Sequence, residues 1–344
     1  QSRVYPYGLY KAAWSYYNLH QPMDGLKELE AVVEYGRYVE QNNIDARLDL
    51  RKEALLDMTI FYEDVLPAKQ AFSYFQSQAG QLDVAPIILR LATLYDRHSR
   101  YSDRRIVLED FIDNRPKSAS VPEIHEELIW NYEKMKDQKL AVRQMEKLGE
   151  VCQKGSRWLD SQPEKIIDEN GQPTKDTPMG LCAGRVSGTS LKLATKWLKI
   201  YKKNPNGPEF ADVAEDAFRI HLRYDDNSKE AHEARFVYAE LLFQRKKYRM
   251  ASEQYWHVGQ HTKEEKLGHD SRYGAIVSLE KAVNDKWNGE DEVLFKKFAK
   301  KYIDSHPKGD YRLDVEFKMG IIVYEKARYD ETAPIFINID DMFA

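Results

Sequence analysis

The chain has 344 residues, of which 42% are hydrophobic and 31% charged, and its formal net charge is −4. Lysine and arginine are interspersed with aspartate and glutamate, which excludes a general binder of nucleic-acid backbones because such a protein carries a basic stripe. No apolar run approaches the ~18 residues that a membrane-spanning helix needs.

The N-terminal part is predicted to be a row of helical hairpins. Apolar, small and aromatic residues recur at helical spacing, short polar turns interrupt them, and a second amphipathic helix follows each turn. Hairpins are predicted near residues 5–42, 47–79, 82–115 and 119–154.

Residues 155–189 break this pattern and form a predicted non-repeat insert. Asn170-Gly171 follows Ile166-Ile167 and favours a tight turn, so we expect a short β-hairpin here. An excursion of this length inside an array of helices usually carries function or is tied down.

The end of the insert, Gly180–Gly188, contains three glycines and one of the two cysteines. This stretch does not match the motif of a phosphate-binding loop. The spacing between Gly184 and the next glycine is one residue too short, and the lysine of the motif is missing. We expect glycine to turn the chain and Thr189 or Ser190 to cap the next helix.

The two cysteines, Cys152 and Cys182, bracket most of the insert. In an oxidising compartment we expect them to form a disulfide. The alternative is two unrelated thiols, one of them buried as a small hydrophobe.

Helices are predicted to resume at 190–205 and 208–224, followed by hairpins near 228–262, 267–304 and 310–343. The expected organisation is therefore an N-terminal array over 1–154, the insert over 155–189 and a C-terminal array over 190–344, all in one continuous superhelix. The chain ends on an apolar helical face without a polar capping helix. We expect either more chain beyond Ala344 or a partner that covers this end.

A small residue recurs at one position of the first helices, where the chain has Ala13, Ala92, Ala239 and Gly320. A second small position, in the second helices, is held by Gly25, Arg104, Ala141, Ala251 and Thr332, where Arg104 departs from the pattern. This spacing resembles that of the tetratricopeptide repeat (TPR), whose period is about 34 residues. The resemblance implies an all-α, TPR-like α-solenoid of about eight antiparallel hairpins.

TPR proteins are generally binding scaffolds, so the resemblance implies a protein or peptide partner on the face formed by the first helices. The groove positions of the family fall here on Tyr7, Tyr10, Trp14, Tyr17, Asn18, Trp130, Phe236, Phe243 and Tyr324. The alternative is that this aromatic stripe is core. A free C-terminal carboxylate is not the expected ligand, because Tyr10, Trp14 and Glu126 stand where chaperone-tail binders carry lysine and asparagine.

The residue pattern of the repeats is similar to that of bacterial cell-envelope TPR proteins, as in the stretches LYKAAWSYYNL and FKKFAKKYIDSHPKGD. These include outer-membrane assembly, Tol–Pal-associated and gliding-motility proteins. The resemblance implies a non-enzymatic scaffold for an envelope complex and a periplasmic location. The alternatives are a cytosolic TPR adaptor or chaperone, and an enzyme or small-ligand binder with its site in residues 155–189.

No sequence motif predicts catalysis, a cofactor or a metal. His257 and His261 are four residues apart, as in helical metal sites, but no glutamate follows His257 and Gly259 lies between them. We interpret both as histidines at a helix end, close to solvent. Paired acids such as Glu126-Glu127 are expected on an exposed face.

Overall fold

The computed structural model describes residues 4–42, 50–168, 170–205, 207–284, 286–325 and 329–341. These residues form α-helices and no β-strand, which confirms the all-α class. The helices are α1 (Tyr5–Asn18), α2 (Pro22–Gln41), α3 (Arg51–Val65), α4 (Ala71–Ala79), α5 (Ala85–Arg97), α6 (Tyr101–Asn114), α7 (Val121–Lys134), α8 (Gln138–Val151), α9 (Pro178–Lys203), α10 (Pro208–Tyr224), α11 (Lys229–Gln244), α12 (Tyr248–His261), α13 (Glu265–Val283), α14 (Gly289–Ser305), α15 (Arg312–Glu325) and α16 (Tyr329–Asp341). The expected hairpin start at 47, the expected end at 343 and the chain end at Ala344 lie outside the described residues.

The helices fall into two compact units, which divide between Arg185 and Val186. In the first unit, α1 packs on α2, α5 on α6 and α7 on α8, and α3 packs on α2 and α5. In the second unit, α11 packs on α12, α12 on α13, α13 on α14 and α15 on α16. Each unit is thus an array of helical hairpins, and the division falls within α9, four residues before the predicted C-terminal array.

One turn geometry recurs in four of the hairpins. His20, Ser99, Lys136 and Lys246 all have a positive φ, between 58° and 61°. In each case the next residue donates its backbone N–H back into the last turn of the preceding helix, as Gln21 does to the carbonyl of Tyr16. This left-handed residue with its backward hydrogen bond ends the first helix and starts the second at once. The repeat seen in the sequence is therefore also a repeat of backbone conformation.

The small positions of the repeat are points of close helix approach. Ala13, Ala92, Ala141 and Ala251 are at most 1% exposed. Arg104, which departs from the pattern, is also buried, and its guanidinium pairs with Glu127 and lies 3.8 Å from Asp96. A large residue is tolerated there because its charge is paired with carboxylates of the neighbouring helices.

Gly25 fills the tightest of these positions. An added Cβ would lie 2.5 Å from Cε1 of the fully buried Phe61 and 2.8 Å from the backbone oxygen of Ala13. We expect Gly25→Ala to lower the free energy of unfolding by about 1–3 kcal/mol, because the added methyl group overpacks the core. Urea unfolding followed by circular dichroism measures the change.

Gly184→Ala is the matched control in the same unit. Gly184 is an exposed helical residue, and outside its chain neighbours and the adjacent backbone of its own helix no described atom lies within 4 Å of its added Cβ. Here alanine is expected to stabilise by about 0.5–1 kcal/mol, since it restricts the unfolded chain more than glycine does. Equal effects of the two substitutions would contradict the packing argument.

The predicted start of the helix after the insert was wrong. The helix begins at Pro178, so Gly180–Gly188 lies inside α9, and Thr189 and Ser190 are buried within it rather than capping it. The cap is made by Thr177, whose Oγ1 accepts the backbone N–H of Gly180 at 3.0 Å. Thr177 followed by proline at the first helical position is a helix start, and it places the non-helical part of the insert before residue 178.

As far as the structure describes the segment between α8 and α9, it contains the expected tight turn but no full strand pair. Ile167 and Pro173 form a single antiparallel bridge, and Gly171 adopts the positive φ (76°) that the turn requires. A disulfide joins Cys152, directly after α8, to Cys182 in the first turns of α9, with the Cα atoms 5.5 Å apart. Both cysteines are at most 3% exposed, so the bond ties the two helices together beneath the surface.

Candidate functional site

The first helices of the first unit are joined by polar side chains. The Tyr10 hydroxyl donates to Asp57 on α3, and Arg90 on α5 donates to the Leu56 carbonyl at 3.0 Å. Further along, Lys134 on α7 donates to Asp96 on α5 at 2.6 Å. Tyr10 is thus already engaged in holding neighbouring hairpins together, and burial is the main reason that its pKa is raised.

Of the other residues assigned to this face, Trp14 and Tyr17 are half-buried. Their rings meet the core residue Phe61 edge to face, at centroid distances of 5.4 Å and 4.9 Å. Tyr7 and Asn18 are exposed, while Trp130 is half-buried on α7. The structure therefore brings Tyr10, Trp14 and Tyr17 to adjoining positions on α1.

The second unit contains a groove that joins two of the predicted residues to others that the sequence analysis missed. Phe236 and Phe243 of α11 line a cavity of about 300 Å³. The remaining walls come from α12, α13 and the residue before α15, and they contribute Tyr255, Tyr273, Gly274, Val277, Ser278 and Tyr311. We call all ten lining residues, namely Phe236, Phe243, the six just named, Glu240 and Asp270, the aromatic groove.

Its rings are held in fixed orientations. Tyr273 stacks on Tyr311 with centroids 3.9 Å apart, and its hydroxyl donates to Asp314 at 2.9 Å. Phe236 meets Tyr255 edge to face at 5.4 Å, and the Tyr255 hydroxyl donates to Glu240. Burial raises the pKa of both Tyr255 and Tyr273, so both phenols stay protonated and keep donating these hydrogen bonds at neutral pH.

Gly274 allows two helices that line the aromatic groove to pack closely together. An added Cβ would lie 3.1 Å from the Tyr255 ring, so the absence of a side chain lets Tyr255 of α12 pack directly on α13. A rigid set of aromatic rings with little conformational entropy to lose is typical of binding surfaces.

The charges at the aromatic groove have one sign. Glu240 and Asp270 are its only charged lining residues in the described chain, and the Asp270 side chain is 38% exposed. Carboxylates beside an aromatic cavity favour a positively charged partner group.

Tyr324, also assigned to the binding face, lies on α15 and is 54% exposed, but it does not line the aromatic groove. Conversely, Tyr273 and Tyr311 belong to the groove and were missed. The available signal was the tyrosine in HDSRYGAIV, which falls on the first helix of its hairpin with a glycine directly after it.

No cluster of three or more potential metal ligands occurs in the part of the chain that the structure describes. The rings of His257 and His261 lie 4.3 Å apart, and the exposed His261 accords with a helix-end position. His257 is only half-buried, yet burial, with Arg235 nearby, lowers its pKa to about 4. Across the described helices, none has the length and apolar character of a bilayer span.

Comparison with known proteins found no matching family model and no matching curated protein. Among solved structures, a tetratricopeptide repeat protein from Parabacteroides merdae matches with a TM-score of 0.25 and 13% identity, over 85% of this chain and 98% of that one. A structure of Naa15/Naa10 bound to HypK-THB matches with a TM-score of 0.21 and 12% identity, over 98% of this chain and 63% of that one.

Proposed function

We propose that this protein is a non-enzymatic scaffold that binds a protein partner, and that the aromatic groove of the second unit is its contact site. The observation that carries the proposal is the groove itself, where five aromatic side chains and two carboxylates surround about 300 Å³. The exposed aromatics Tyr7 and Tyr324 are proposed as additional contacts within their own units.

The chemistry of the groove favours one kind of partner group. A cavity of this size accepts one large apolar side chain, and the aromatic walls suit it through ring packing. Glu240 and Asp270 favour a lysine or arginine next to that side chain, since a cation also interacts with the faces of tyrosine rings. The expected ligand is therefore a segment with an apolar anchor flanked by a basic residue.

The test is crosslinked affinity capture from the native host, followed by affinity measurement with each purified partner. Phe243→Ala is expected to weaken binding about 30-fold, because it removes a wall of the pocket for the anchor. Asp270→Asn is expected to weaken binding about three- to tenfold, and that loss should shrink as salt is raised.

Glu253→Gln is the matched control for Asp270→Asn. Glu253 is an exposed acid on α12 and does not line the aromatic groove. It should leave the affinity unchanged, while circular dichroism checks that all variants stay folded. A partner that binds the Phe243→Ala and Glu253→Gln variants equally well does not use the groove, and capture of no partner at all would refute the scaffold function.

We further propose that the partner complex belongs to a bacterial envelope and that the protein works in the periplasm. The bond between Cys152 and Cys182 supports this, because structural disulfides persist in oxidising compartments. Peptide mapping of unreduced protein from native cells tests it. Two alkylatable thiols would instead favour the cytosolic adaptor or chaperone.

A further inference from the structure

A second cavity, in the first unit, has the opposite charge from the aromatic groove. It has a volume of about 660 Å³ and lies among the α4–α5 loop, the α6–α7 loop and the segment that follows α8. Arg115 and Lys117 from the α6–α7 loop and Arg157 from the segment after α8 all line it. We call this the basic cavity.

The segment after α8 is held against the α6–α7 loop by a buried side chain and two hydrogen bonds, and it forms one wall of the basic cavity. Trp158 is 5% exposed, and its Nε1 donates to the Ser118 carbonyl at 2.8 Å. Gln162 Nε2 donates to the Lys117 carbonyl at 3.0 Å. The disulfide at Cys152 anchors the same segment five residues before Arg157. Arg157 is thus brought to the α6–α7 loop by the segment between α8 and α9, which departs from the hairpin pattern.

The three cations have no carboxylate partner among the described residues. Arg115 donates from Nε and Nη2 to the amide oxygen of Gln76 at 3.1 Å and 2.6 Å, which orients the guanidinium without neutralising it. Among the described lining residues Asp83 is the only acid, and its Oδ1 already accepts the backbone N–H of Ala85. Arg115, Lys117 and Arg157 are all exposed, so they are accessible to an anion that enters the cavity, and three positive charges on its lining attract such an anion.

We propose that the basic cavity binds a small molecule that carries phosphate or carboxylate groups. Its volume lies in the range of small-molecule sites, about 300–1,000 Å³. The arginines supply planar forks of N–H donors that match oxyanions, and Lys117 adds a compact positive charge. The cavity is separate from the aromatic groove, so this proposal stands independently of partner binding.

Isothermal titration calorimetry with inorganic phosphate, pyrophosphate and citrate tests the proposal, with sodium chloride holding the ionic strength constant. At least one of the three probes should bind saturably, one molecule per chain. Tighter binding of pyrophosphate than of citrate would identify phosphate as the group recognised, and the reverse order would identify carboxylate.

Arg157→Gln is expected to weaken that binding about tenfold or more, because it removes a charged hydrogen-bond donor. Arg143→Gln, at an exposed arginine on α8 that does not line the cavity, should have no effect. The double variant Cys152→Ser/Cys182→Ser should also bind more weakly, since it frees the segment that carries Arg157. Absence of saturable binding of every probe, or binding that Arg157→Gln and Arg143→Gln affect equally, would overturn the proposal.

Discussion

Reduction of the bond between Cys152 and Cys182 is expected to lower the free energy of unfolding of the first unit by about 3–4 kcal/mol. The bond closes a loop with a sequence separation of 30 residues. A cross-link of this span restricts the unfolded chain, and the loop-closure relation gives about 3–4 kcal/mol at room temperature. Both sulfurs lie inside the first unit, so the change should appear in its transition.

Urea unfolding of oxidised protein and of protein reduced under denaturing conditions and then refolded measures this change. Reduction in denaturant is needed because both cysteines are buried. The double variant Cys152→Ala/Cys182→Ala is the control, and its unfolding midpoint should not respond to reductant. If reduced and oxidised wild-type protein unfold at the same urea concentration, the bond does not contribute as we expect.

Acidification is expected to destabilise the first unit through His125. This residue of α7 is 6% exposed, and its Nδ1 lies 2.6 Å from the side-chain nitrogen of Gln144 on α8. Burial, with Lys147 nearby, lowers its pKa to about 4. The folded protein therefore keeps His125 neutral at pH values where an unfolded histidine takes up a proton.

The sign and range of the effect follow from this difference. Between pH about 6.5, the ordinary value, and pH about 4 the unfolded state binds more protons, so the free energy of unfolding falls as the pH falls. His125 contributes about 3 kcal/mol to the pH dependence of the free energy of unfolding. This stability is fully present above pH about 6.5 and is lost by pH about 4.

Urea unfolding at several pH values between 4 and 7.5 measures this contribution. His125→Gln should make the free energy of unfolding less dependent on pH over this range, whatever its effect at pH 7. His20→Asn, at an exposed histidine in the turn between α1 and α2, should keep the wild-type dependence. Parallel pH profiles for wild type and His125→Gln would contradict the assignment.

The locally encoded parts of the fold were predicted from the sequence. The hairpins near 5–42, 82–115 and 119–154 agree with the helix pairs α1–α2, α5–α6 and α7–α8 to within a few residues. Their signals are helical spacing of apolar residues and short polar turns, which depend on neighbours in the sequence. The turn at Gly171 was found for the same reason, since Asn-Gly encodes its own backbone conformation.

The start of α9 shows where local signals misled. Three glycines lower helix propensity by about 1 kcal/mol each, and they predicted a turn between residues 180 and 188. The helix forms there nevertheless, with Thr177 as its cap, a disulfide at Cys182 and the Val186 side chain buried. Tertiary contacts outweigh propensity at this point, although the Thr177-Pro178 pair was a helix-start signal that could have been recognised.

By itself, the sequence determined the helical class, the repeating hairpins and the pair of cysteines that could be joined. Only the tertiary structure decided which side chains meet. Tyr273 and Tyr311 stack against each other, and Arg115 and Arg157 line one cavity, although each pair is separated by about forty residues. Helical periodicity repeats over a few residues and specifies a helix face. The partner of that face is set by how whole hairpins pack. The aromatic groove and the basic cavity both form where residues of different hairpins or loops come together through this packing.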